Sequence, residues 1–212
     1  MMETSLEHRK NTVSEINRLL ALGAVTGPIL FSLAYTILGF LRPDFSAVSE
    51  PISGLGVGTN APAMNASFIL MGLLLFVGVI GIFQNMKELG NVARWACIIL
   101  LELSPIGCII CGLYTYEFTL HFVGFFLACG TPVISYLVVG LLLRRVSIYR
   151  RIGSWLILGS PLTLILIYMF MASFDYLNTD VGVAGLIERI LIIEVHAYYV
   201  ILGWLVFRRK SR

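Results

Sequence analysis

The chain has 212 residues, 58% of them hydrophobic and only 13% charged, with a formal net charge of +3 and a mean hydropathy of +0.90. Soluble domains carry about 25% charged residues, and a globule with half that supply could not cover its surface. A soluble enzyme, a secreted disulfide scaffold and a nucleic-acid binder are therefore excluded as main readings, which leaves a membrane protein.

Residues 1–18 are polar and read as a short cytoplasmic arm with an amphipathic turn at 13–20. The apolar run at 19–41 is too long for the core of a signal peptide, and no A-x-A-like cleavage site follows it at the right place, so it is a retained helix. Runs of bilayer-spanning length recur at 63–85, 93–113, 119–143, 152–172 and 186–207. The predicted fold class is all-α: a polytopic, six-transmembrane-helix bundle over 19–207, followed by a basic tail at 208–212. Loops are expected at 42–62, 114–118 and 173–185 on one side, and at 86–92 and 144–151 on the other. Thirteen of the fifteen Lys and Arg residues fall on the side of the termini, and only Arg42 and Arg189 on the opposite side. The positive-inside rule then predicts both termini in the cytoplasm, in the cytoplasmic (inner) membrane.

The first outward loop holds the most structured polar stretch, from Arg42 to Gly56. Ser49 suits an N-cap, Glu50 and Pro51 suit a first helical turn, and Gly54 and Gly56 suit its end, which predicts a short helix on the outer face. Four spans carry a proline near mid-membrane, each after a small or hydroxylated residue: Gly27-Pro28, Ser104-Pro105, Thr131-Pro132 and Ser160-Pro161. Each proline frees a carbonyl that a neighbouring hydroxyl or helix must satisfy. The kinks give either a bent bundle or, as in transporters, a central opening. The four cysteines lie in apolar runs. Cys108 and Cys111 form a C-x-x-C whose apolar surroundings favour helix packing over metal or redox chemistry.

Arg189 and His196 are seven apart and share a face of the sixth span with Gly203, while His121 shares one with Gly124, Ala128 and Pro132. Both faces should look into the bundle. Arg42 and Arg189 lie at the outer boundary with Glu50, Glu117, Asp175, Asp180 and Glu188. Two accounts stay open there. One is a set of interfacial salt bridges. The other is an outward-facing pocket in which an arginine grips an anionic head group while His121, with Glu117 one turn before it, serves as acid or base. Glu102, Glu194 and His196 are ionisable groups deep in the spans and should face protein or water. Three histidines, with His8 in the arm, are too few for a three-histidine zinc site, and no nucleotide, hydrolase or metalloprotease motif is present, so no metal or cofactor is expected.

Pro51-Ile52-Ser53-x-Leu55-Gly56 after a proline-kinked first span resembles the domain-of-unknown-function family 998, a group of six-helix prokaryotic membrane proteins. The likeness continues in Asn65-x-x-Phe68-x-x-x-Gly72, in His121 and in Gly185-Leu186-x-Glu188-Arg189. It implies the six-helix topology and singles out these residues, without a reaction. A more distant likeness links the chain to the Frag1/DRAM/Sfk1 group, some of whose members are tied to lipid remodelling.

Together these features predict a pocket for a lipid or other amphiphile at the outer face, with Arg42, Ser49, Ser53, Glu188 and Arg189 binding the ligand and His121 and Glu117 carrying chemistry. Its partners would be membrane lipids and an anionic or amphiphilic small ligand. The alternatives are a small-solute transporter, proton-coupled through Glu102, and an accessory membrane subunit. Polar residues gathered at one membrane face favour the first reading.

Overall fold

Apolar segments in a bilayer must satisfy their own backbone, and this chain does so with helices. The structure, a computed structural model, describes residues 2–115, 117–174 and 182–209, so Asp175 and Asp180 lie outside the described residues. Its helices are α1 (Met2–Ala21), α2 (Gly23–Leu41), α3 (Ala61–Gln84), α4 (Asn91–Leu113), α5 (Thr119–Phe125), α6 (Thr131–Arg144), α7 (Arg150–Phe174) and α8 (Ala184–Arg208), with a π-helical segment, Phe126–Gly130, joining α5 to α6. They make six spans long and apolar enough to cross a membrane: Thr12–Leu41, Ala61–Gln84, Asn91–Leu113, Thr119–Arg144, Ser147–Ser173 and Ala184–Arg208.

The N-terminal arm is helical rather than a single turn. No proline interrupts residues 2–21, and Leu22 keeps helical angles (φ −63°, ψ −23°), so α1 runs almost without a break into α2. Arg18 fixes its end: Nε and Nη2 donate to the Phe207 carbonyl at 3.2 and 2.8 Å, which joins α1 to the last turn of α8. A cation suits that helix C-terminus. Both chain ends therefore sit at one end of the bundle, the terminal end. There Arg209 donates to Glu88 Oε1 at 2.5 Å and also to the Tyr149 hydroxyl, which in turn donates to Glu88 Oε2 at 3.1 Å. Partial burial pushes the Glu88 carboxyl up, but hydrogen bonds from its own backbone, from Arg209 and from Tyr149 outweigh that and hold it below the ordinary carboxylate range.

Small residues let the helices meet. A Cβ at Gly72 of α3 would lie 2.7 Å from the Pro105 carbonyl oxygen of α4, and one at Gly140 of α6 would lie 2.6 Å from the Gly153 oxygen of α7. Without a hydrophobic drive between helices in lipid, such close backbone packing is what holds them together.

Two of the four prolines have the carbonyl they free satisfied by a hydroxyl from another helix. Pro105 cannot donate to Leu101, and the Tyr199 hydroxyl from α8 donates to that carbonyl at 3.0 Å. Pro132 frees Ala128, whose carbonyl accepts from Ser104 Oγ of α4 at 2.7 Å, while Thr131 Oγ1 bonds Leu127 at 2.6 Å. The π segment ends at Gly130, two residues before Pro132, in the turn where the proline breaks the ladder. Ser135 and Ser160 likewise donate to Leu100 and Val133 of neighbouring helices, at 2.8 and 2.6 Å. The mid-membrane hydroxyls thus act as cross-links between helices.

Candidate functional site

At the opposite end, residues 42–60 fold back over the helices. Proline disfavours helical angles in the residue before it, which works against a helical turn opened by Ser49 and running through Glu50. The turn is instead a 3₁₀ helix at Ile52–Gly56, with Pro51 preceding it at φ −59° and ψ 153°. Ser49 caps nothing; its N–H bonds to Ser46 Oγ at 3.3 Å. The turn drives Ile52 and Leu55 into the core, a burial worth about 1.5–3 kcal/mol each.

The two arginines expected to grip an anion have other partners. Arg42 Nη1 donates to the Gly54 and Val57 carbonyls at 2.9 and 3.4 Å, and its Nε stands 3.8 Å from the exposed Asp44 carboxylate. Arg189 Nη1 donates to the Glu50 and Gly185 carbonyls at 3.1 and 2.8 Å, its guanidinium 5.7 and 5.6 Å from the ring centres of Tyr35 and Phe45. An irregular loop at membrane depth has carbonyls with no helical donor, and a guanidinium with five N–H groups is the residue that can serve them. Among the described residues Arg189 has no ion-pair partner and is held by backbone oxygens and aromatic faces.

Three further contacts tie the loop to the start of α8. Leu186 N–H donates to Val48 O at 2.9 Å, and Ile52 N–H donates to Glu188 Oε2. A Cβ at Gly185 would overlap the Glu50 oxygen and lie 2.8 Å from that of Ala47. Glycine is needed here because the loop backbone occupies the space of its side chain.

Beneath the turn lies a cavity of about 230 Å³ whose polar wall holds Glu50, Ser53, His121 and Glu188, and whose apolar wall holds Phe122, Phe125, Phe170 and Met171. His121 and Glu188 are 7% and 5% exposed. His121 Nδ1 is 2.7 Å from the Tyr114 carbonyl. A carbonyl only accepts, so Nδ1 carries the proton and Nε2 the lone pair. Its ring also meets Phe68 edge-on at 6.4 Å.

Glu117 does not join it. α5 begins at Thr119, so Glu117 stands exposed before the helix and the four-residue spacing to His121 has no helix to act through. The carboxyl that shares the cavity with His121 is Glu188, brought from α8. Arg42, Ser49 and Arg189 shape the loop from outside the cavity.

Glu102, Glu194 and His196 lie elsewhere. Glu194 Oε2 accepts from Thr163 at 2.8 Å, and His196 Nδ1 donates to Ile192 O at 2.8 Å. The two Glu102 oxygens and His196 Nε2 are buried without a hydrogen-bond partner among the described residues. Of the apolar wall, Phe125 was within reach of sequence reasoning, being one turn beyond His121 on the same face. Phe170 and Met171 carry no such signal, because in sequence they match any lipid-facing stretch.

The fold and these contacts define a multi-pass, all-helical integral membrane protein in which the loop at residues 42–60 caps a partly polar cavity. A family described as "Protein of unknown function (DUF998)" matches residues 25–205, and the chain belongs to that family. No curated protein and no solved structure matches the chain.

Proposed function

We propose that this protein holds an amphiphile at the loop end, its head group against Ser53, His121 and Glu188 and its chain along Phe122, Phe125, Phe170 and Met171. The observation that carries this reading is the two-walled cavity itself. At about 230 Å³ it is smaller than the roughly 300–1,000 Å³ of drug-sized ligand sites, so it suits a head group and the first part of a chain. Phe122 is half-exposed on the lipid-facing surface, which gives the rest of the chain a way out into the bilayer. The lining carries two carboxyls and no arginine or lysine, which favours a head rich in hydroxyl or amine donors over an anionic one. His121 Nε2 and the Glu188 carboxyl are groups suited to take and return a proton on that head, so the proposed activity extends to lipid modification.

The test is photolabelling in nanodiscs with a monoacylglycerol that carries a diazirine in its chain. Labels are expected on Phe122, Phe170 or Met171, falling about tenfold in His121→Ala. Labels spread evenly over lipid-facing residues such as Leu158 and Tyr168, with His121→Ala indistinguishable from the wild type, would reject the reading.

The proposal places the cavity at the outer leaflet of the cytoplasmic membrane, with both termini inside. The skew of basic residues supports this. All four native cysteines are buried, so engineered ones can be read against a low background. In intact cells Asp44→Cys should react with a membrane-impermeant maleimide and Arg145→Cys only after lysis. The reverse pattern overturns the orientation.

A further inference from the structure

We propose that the terminal end carries a second binding site, for a phosphate-bearing ligand. A cavity of about 1,080 Å³ opens there between four separate segments: α1, the stretch after α3, the stretch before α7 and the end of α8. Arg18, Lys87, Arg208 and Arg209 line it, against the single carboxylate of Glu88. Glu88 is ion-paired with Arg209, and Arg18 donates to the Phe207 carbonyl without a carboxylate partner among the described residues. Lys87 is exposed, and Arg208, exposed too, lies beside the Trp204 ring at 5.9 Å. Three cations without an ion-pair partner among the described residues therefore converge on one concave volume. Each segment folds for its own reasons, yet all four deliver a cation or its holder to the same space. Guanidinium and ammonium groups gathered in this way match a phosphate carrying more than one negative charge. The volume far exceeds a bare phosphate and accommodates what the phosphate is attached to. The shared chemistry fits a lipid phosphate from the adjacent leaflet or a soluble phosphate compound.

The purified full chain in a neutral maltoside detergent can be titrated with inorganic pyrophosphate and with dihexanoyl phosphatidate by thermophoresis. Binding of either is expected, weakened about tenfold or more in Lys87→Gln/Arg208→Gln. Those two side chains are chosen because Arg18 and Arg209 also hold helices together. Arg150→Gln/Arg151→Gln removes the same charge outside the cavity and should leave affinity unchanged. Binding of phosphatidate alone identifies a lipid source, of pyrophosphate alone a soluble one, and of both the phosphate itself. Should the first double variant fail to fold, Glu88→Gln decides: it removes the opposing charge and should tighten binding. The proposal is overturned if neither probe binds, if the two double variants weaken binding equally, or if Glu88→Gln leaves it unchanged or weaker.

Discussion

Gly107→Val should leave no folded, monodisperse protein after detergent extraction, whereas Gly130→Ala should purify and melt like the wild type. A Cβ at Gly107 of α4 would overlap the Ala128 nitrogen and the Gly124 oxygen and lie 2.8 Å from the Leu127 carbonyl carbon. All three are backbone atoms, so no rotamer change relieves the clash. Only separation of α4 from α5 and the π segment does. That separation also breaks the Ser104 hydrogen bond to Ala128 O, re-exposing the carbonyl that Pro132 frees. Overpacking typically costs 1–3 kcal/mol where side chains can yield; against main chain the expected cost is about 3 kcal/mol or more, a large share of a typical stability. At Gly130 the nearest atoms are Phe126 side-chain carbons at 3.4 and 3.8 Å, ordinary contact that a methyl tolerates. Size-exclusion profiles and thermal midpoints of the two variants read the difference. A wild-type midpoint for Gly107→Val would mean that α4 does not pack on this segment as described.

The six spans were legible because their signal is local: runs of about twenty apolar residues admit one backbone solution in a bilayer. The need for hydroxyls opposite the prolines was legible for the same reason, since the freed carbonyl follows from proline's own chemistry. Which hydroxyl answers was not, because Tyr199 reaches Leu101 across 98 positions of sequence. The loop shows the same division. Depth and composition marked Ser53, His121 and Glu188 as neighbours at one membrane face, yet helical spacing tied His121 to Glu117, and that spacing fails where the helix begins at Thr119. For the arginines, place was legible and partners were not. Sequence reports a guanidinium beside a loop, but only the folded backbone reveals how many carbonyls that loop leaves without donors.

Glu188 is where holding the loop and binding a head group can be pulled apart. Its Oε2 accepts from the buried Ile52 N–H, and it lines the cavity beneath the turn. In Glu188→Leu the Ile52 amide loses its acceptor, at a cost of about 1–3 kcal/mol. For a chain of this size that corresponds to a drop of roughly 2–12 °C in thermal midpoint. Glu188→Gln keeps an oxygen for Ile52 and should melt near the wild type. It nevertheless replaces an acid with an amide in the cavity, so it can no longer offer a carboxylate to a hydroxyl or amine, nor exchange a proton. Photolabelling by the diazirine monoacylglycerol should therefore fall in both variants, while stability falls only in Glu188→Leu. Wild-type labelling of Glu188→Gln would assign the carboxyl to the loop alone, leaving Ser53 and His121 as the polar groups that meet the head.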